Sequence, residues 1–184
     1  KIVWVMGPAF SFDIKARRAL SALIENGYAH AVLAGNALAS HDLEGAYMQT
    51  ALGQNIYTQE NVPNGHYNHL DLINRVRAAG SMKAFVEQEN LDNGVMTAAI
   101  KNDVPIVLGG SIRDDGPLPE VYGDCYDAQD AMRAHVSKAT TVITMATMLH
   151  SIAVGNMTPS FRVLEDGTIR QTYFYVCDAS EFVV

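Results

Sequence analysis

Apolar residues in this chain fall into two alternating kinds of run. The short ones, 2–6, 31–34, 106–108 and 141–144, are continuous rather than alternating, which is the pattern of strands buried on both faces. The longer ones repeat with helical spacing. In 14–26, Ala16, Leu20, Leu23 and Ile24 share a face, Lys15, Arg17 and Arg18 lie opposite, and Gly27 stands where a helix-ending glycine belongs. Ser40 is the expected N-cap of a helix reaching about Leu52, and Asn68 that of a helix carrying Leu70, Ile73, Val76 and Ala79 and ended by Gly80. Helices are also predicted over 82–89, 94–101, 128–138 (Ala128, Ala131, Met132 and His135) and 146–154. Residues 54–67 read as an excursion broken by Pro63, Asn64 and Gly65. Glu165-Asp166-Gly167 reads as a hairpin turn between strands 160–164 and 172–176. Strands alternating with helices predict an α/β fold whose sheet is mainly parallel with flanking helices.

The stretch 107–119 stands out against this pattern. It leaves a buried strand through Gly109-Gly110, sets Arg113, Asp114 and Asp115 beside Gly116, and is stiffened by Pro117 and Pro119. Ligands of open parallel sheets bind outside the carboxyl ends of the strands, so a rigid charged loop there is a candidate site floor; a surface turn is the plainer reading of Asp-Gly-Pro. The first strand runs into Gly7-Pro8-Ala9, not a G-x-G-x-x-G fingerprint. Gly35-Asn36-Ala37 and Thr147-Met148-Leu149-His150 each link a strand to a helix, exposing backbone N–H groups at the positive end of the helix dipole. A strained turn at Asn36 would explain the former equally well, but three such turns together point to a shared anionic ligand. Asp178, after the strand 172–176, is where an acidic residue would meet an adenosine ribose 2′-OH and repel a 2′-phosphate; an N-cap aspartate is the alternative. His41, Asp42, Glu44, His66 and His69 form a further polar cluster. The spacing Gly65-His66-x-x-His69 can hold a metal on a helix turn, but acid–base work on an amino-acid substrate is the more economical use of these side chains, and no metal is expected.

Composition narrows the classes. With 184 residues, 48% hydrophobic and 18% charged, the chain is one ordinary globular domain. A net charge of −7 argues against nucleic acid as partner. No apolar run approaches the ~20 residues that span a bilayer, and no secretory leader pattern is present. Cys125 and Cys177, few and far apart, fit a reducing cytoplasm. Both ends look cut: Lys1 opens directly on a strand and Val184 halts where another helix should start, so residues 1–184 read as a single domain from a longer chain. A small-molecule partner and a homo-oligomer are expected.

Three motifs in order resemble one family: Gly35-Asn36-Ala37-Leu38-Ala39 with His41, Asp42 and Glu44; residues 110–119; and residues 146–157. It is the conserved region named after lysine-oxoglutarate reductase/saccharopine dehydrogenase, whose members include archaeal NAD-dependent ornithine cyclodeaminase and the C-terminal part of arginine dihydrolase fusions. The resemblance implies a deoxyhypusine-synthase-like Rossmann domain binding NAD, with contacts from Asn36, Ala37, Asp115, Thr147, Met148, Leu149, His150 and Asp178. It further implies conversion of L-ornithine to L-proline and ammonia through an internal hydride cycle. For that chemistry Asp42 and Glu44 offer negative charge to the amines, Arg113 a clamp for the carboxylate, and His41 or His66 a proton carrier. The hairpin at 165–171 looks like an insertion, and the family extends both upstream and past Val184. A non-catalytic NAD-binding or regulatory domain of a larger fusion is the alternative; saccharopine or lysine oxidoreduction rests on the family's name alone.

Overall fold

The computed structural model describes residues 1–180. In chain order, β1 (Ile2–Met6) leads through a 3-10 turn (Pro8–Phe12) to α1 (Ile14–Glu25), and β2 (Ala31–Gly35) to α2 (Asn36–Met48). A small hairpin, β3 (Thr50–Ala51) and β4 (Gln54–Asn55), precedes α3 (His66–Ala79), α4 (Met82–Gln88) and α5 (Val95–Lys101). Then follow β5 (Ile106–Gly109), β6 (Val121–Tyr122), α6 (Cys125–Val136), β7 (Thr141–Met145) and α7 (Met148–Met157). The hairpin β8 (Phe161–Val163) and β9 (Ile169–Gln171) leads into β10 (Tyr173–Cys177).

Six strands form a parallel sheet in the order β10-β7-β1-β2-β5-β6. Successive strand residues point to opposite faces, and the sheet sorts its helices accordingly. Trp4, Met6, Val32, Ala34 and Leu108 pack with Leu20, Ile24, Leu38, Leu43, Leu72 and Met96 from the helices between β1 and β5. Val3, Val5, Leu33, Val107 and Val142 pack on the other face with Met132 and Val136 of α6 and Val154 of α7. From β1 the chain steps one way to β2 and β5, then returns to place β7 and β10 on the other side of β1. That reversal, between β1 and β7, is where an open α/β sheet leaves a crevice at its carboxyl edge.

Several boundaries differ from the sequence expectation. Helix α2 starts at Asn36 behind an extended Gly35 (φ −97°, ψ 166°), so Ser40 lies inside it, its hydroxyl donating to Ala37 O at 3.3 Å. Helix α3 starts at His66, and Asn68 donates to Thr50 Oγ1 at 3.1 Å instead of capping. Its buried face is His69, Leu72, Ile73 and Val76, while Leu70 is exposed. Helix α6 begins early because Asp124 accepts the amides of Tyr126 and Asp127. Helix α7 begins late because Ala146 has φ 55°, outside the right-handed helical region. The Glu165-Asp166-Gly167 turn is present, but it pairs 161–163 with 169–171, leaving 173–177 free to become the sheet edge. The helix expected to start at Val184 lies outside the described residues. No helix among the described residues is long and apolar enough to cross a membrane.

Candidate functional site

The crevice is shaped by contacts between strand ends. Gly7 N donates to Met145 O at 2.9 Å, and a Cβ on Gly7 would lie 1.7 Å from Ala146 O, so the turns after β1 and β7 meet only because residue 7 is glycine. Ala146 N in turn donates to Cys177 O at 3.0 Å, which sets Asp178 beside the same turn. Thr147 is the N-cap of α7 without a side-chain cap bond, so the amides of its first turn (Met148, Leu149, His150) face outward unpaired, as at any uncapped N-terminus. His150 reaches across to Gly35, where an added Cβ would sit 3.1 Å from its Cε1; its Nδ1 is buried without a partner. Burial lowers the His150 pKa, which keeps the ring neutral. Asp178 is exposed, and its Oδ1 accepts Ser180 N at 2.9 Å.

At the neighbouring strand end, the Asn36 side chain is committed to the 110–119 loop. Its Nδ2 donates to Gly116 O and its Oδ1 accepts Leu118 N, both at 3.0 Å. Any ligand contact from Asn36 or Ala37 therefore falls to the backbone amides at the start of α2.

Beside this lies an array of acids and imidazoles, buried except for Asp115. His41 and Glu44 come from α2, His69 from α3 and Asp115 from the loop. Glu44 Oε1 accepts Thr50 Oγ1 (2.7 Å) and Gly53 N (3.0 Å), and Oε2 accepts Leu52 N (2.8 Å) and His41 Nδ1 (3.2 Å). His69 Nδ1 faces Oε2 at 3.7 Å, beyond hydrogen-bond reach, and its Nε2 lies 3.2 Å from Asp115 Oδ2. Burial pushes the Glu44 carboxyl up, but the hydrogen bonds from His41, Gly53 and Thr50, with the His69 ring close by, outweigh it and hold the group well below the usual carboxylate range. With four donors on its two oxygens, Glu44 is occupied by the protein itself and fixes the His41 ring through Nδ1. With His41 Nδ1–H on Glu44, the neutral ring presents Nε2 as acceptor, the tautomer following from that bond. The ring is held between Phe12, 5.4 Å away, and His69, 4.5 Å away.

The other expected residues lie elsewhere. Asp42 is fully buried, with Oδ1 accepting Arg17 Nε (2.9 Å) and Oδ2 accepting Met96 N (2.8 Å), so it ties α1, α2 and α5 together and has no oxygen to spare for an amine. His66 is exposed and rests on the Tyr67 ring at 4.2 Å, apart from the array. Arg113 is exposed at the loop apex, its amide donating to Ser111 Oγ at 3.2 Å. His41, Glu44 and His69 offer ligand atoms within 4.8 Å of one another, a donor set suited to zinc and not the 66/69 pair that spacing suggested. Both Glu44 oxygens already serve two donors each, while His69 Nδ1 is buried without a hydrogen-bond partner. Arg17, expected opposite the apolar face of its helix, is buried against Asp42, and its importance was hidden by the sequence; His69 stood out there only as a partner of His66. The signal for His69 was its register with Leu72, Ile73 and Val76, which marks it as inward-facing.

A parallel six-stranded sheet with helices on both faces and a switch-point crevice defines an α/β domain of Rossmann type. Residues 1–165 match the family described as arginine dihydrolase ArgZ-like, C-terminal, Rossmann fold, and the chain belongs to it. It is 49% identical over 161 residues to the ornithine cyclodeaminase of Methanopyrus kandleri, covering 88% of this chain but 39% of that protein. A conserved LOR/SDH protein from Methanococcus maripaludis superposes with a TM-score of 0.82 at 48% identity, over 86% of this chain and 47% of that one. The ternary complex of AgrE with ornithine and NAD+ superposes over 100% of this chain and 25% of that one, with a TM-score of 0.87 and 39% identity. The chain thus spans less than half the length of each of these relatives.

Proposed function

We propose that residues 1–184 are the NAD-binding part of a longer cytoplasmic ornithine cyclodeaminase, which turns L-ornithine into L-proline and ammonia. The observation that carries the reading is the crevice itself: three strand ends meet there through glycine contacts, the bare start of α7 faces outward, and the His41–Glu44 pair stands alongside. Kinship with ornithine cyclodeaminases supports the substrate, and AgrE was solved with ornithine and NAD+ together.

The residues present fit a dinucleotide. The amides of Thr147, Met148, Leu149 and His150, with the dipole of α7, suit a pyrophosphate. The amides of Asn36 and Ala37 would add a second helix start, and the carboxylates of Asp115 and Asp178 would serve ribose hydroxyls. The orphaned Nδ1 of the neutral His150 is a buried polar atom awaiting a partner. NAD held there would supply a reversible hydride acceptor for the substrate carbon. The protein's own part is proton handling and orientation. His41 Nε2 takes the proton that must leave an ammonium before its carbon can be oxidised, while Glu44 fixes the ring and balances the imidazolium that forms. Arg113 clamps the α-carboxylate. Asp42 and His66 have no part in this scheme.

Calorimetry tests the reading. NAD should bind one per chain, and His41→Phe should keep that binding while the longer enzyme loses at least a hundred-fold in turnover. An undiminished turnover in His41→Phe, or no NAD binding, would overturn it.

A further inference from the structure

We infer that His69 is a positioning residue that latches the 110–119 loop over the site through Asp115. The loop is tied down at both ends. Gly110 N donates to Tyr122 O at 2.9 Å, and past the apex Asn36 holds Gly116 O and Leu118 N while the Leu118 side chain is buried. Between these ties, 111–115 bonds mainly to itself: Ser111 N donates to Asp114 Oδ2, Asp114 N to Ser111 O and Arg113 N to Ser111 Oγ. Among the described residues, Asp115 is the one side chain of this apex in ion-pair contact with another element, its Oδ2 lying 3.2 Å from His69 Nε2. That contact brings a half-exposed acid against a buried ring. The groups facing the ring are Asp115 from the loop and Glu44 and His41 from α2.

Ring orientation makes the latch specific. Turned with Nδ1 toward Glu44, an imidazole on the inward face of α3 points Nε2 outward at the loop. Glu44 therefore faces both rings, hydrogen-bonded to His41 Nδ1 and 3.7 Å from His69 Nδ1, while His69 Nε2 meets the loop that bears Arg113. Where the loop sits in turn decides where the Arg113 guanidinium lies, and this last step rests on the cyclodeaminase reading.

Arg113 also makes the test direct, because trypsin cuts after an exposed arginine in a mobile segment. With no ligand present, His69→Ala and Asp115→Ala should each be nicked after Arg113 about ten times faster than wild type. The double variant should be no faster than either single one, since each removes the same bond. His69→Gln, which keeps a side-chain N–H for Asp115, should restore much of the resistance. Asp115 is exposed enough that Asp115→Ala folds normally, so it decides the matter if His69→Ala proves unfolded by circular dichroism. Nicking at the wild-type rate in Asp115→Ala, or additive effects in the double variant, overturns the latch whatever the enzyme's substrate. In turnover by the longer enzyme, His69→Ala should raise KM for ornithine by about ten-fold while kcat changes far less. A fall in kcat at unchanged KM would place His69 in the chemistry and reject a positioning role.

Discussion

Glu44 concentrates the chemistry of this domain in one buried carboxylate with four donors on its two oxygens. Glu44→Gln turns an amide NH2 toward those donors and removes the charge, which should destabilise the fold by about 2–4 kcal/mol at neutral pH. The loss should depend on pH with a definite sign. A carboxyl whose folded pKa lies below its usual 4.5 contributes stability that is complete above that value and disappears as pH falls toward the folded pKa. Urea midpoints of wild type and Glu44→Gln should therefore approach each other below about pH 4; a constant gap would contradict this account of Glu44. Asp178 carries the second prediction at this scale. A carboxylate ~4 Å from a 2′-phosphate disfavours it by roughly ten-fold in affinity even when well screened. Calorimetry should show NAD preferred over NADP, and Asp178→Ala should lose NAD affinity and narrow that gap. The residue scale was the hardest to read from sequence. Asp42 and Glu44 are both acids on one predicted helix, and nothing in their spacing tells that Asp42 meets Arg17 while Glu44 meets the Thr50–Gly53 turn, because both partners arrive through tertiary packing.

Elements were far more legible. Continuous apolar runs marked the central strands, and glycines marked helix ends at Gly27 and Gly80, which have φ of 78° and 85°. Starts were less visible where no side chain caps them, as at Gly35 and Gly65. The antiparallel pair 161–163 and 169–171 escaped because 172–176 is the more apolar segment, and its true partner, β7, lies some thirty residues upstream in sequence. The predictions here concern joints. Gly7→Ala forces a methyl into Ala146 O and must part the turns after β1 and β7, costing about 1–3 kcal/mol or more and at least ten-fold in NAD affinity; thermal melts and calorimetry on the same sample check both. Arg17→Met leaves Asp42 buried without its cation and should cost roughly 3–5 kcal/mol, whereas NAD affinity of the folded fraction should hold. A loss of binding without a loss of stability would mean that Asp42 serves the site directly.

For the molecule as a whole, alternation of strands and helices was enough to fix a parallel α/β sheet. The strand order was not readable from it, since the reversal after β6 is set by which face α6 covers. The crevice and the acid–imidazole array lie along the same edge of the sheet, joined by Asn36 and the 110–119 loop. On the proposed reading that adjacency is what cyclisation requires, since the hydride acceptor and the base must act on one bound amino acid. The direct measurement supplies the longer protein carrying this chain with L-ornithine deuterated at Cα and a catalytic amount of NAD. The account predicts L-proline that keeps its deuterium, one ammonia per turnover and no net NADH. Stoichiometric NADH with a keto acid, or proline that has lost the label to solvent, would contradict it.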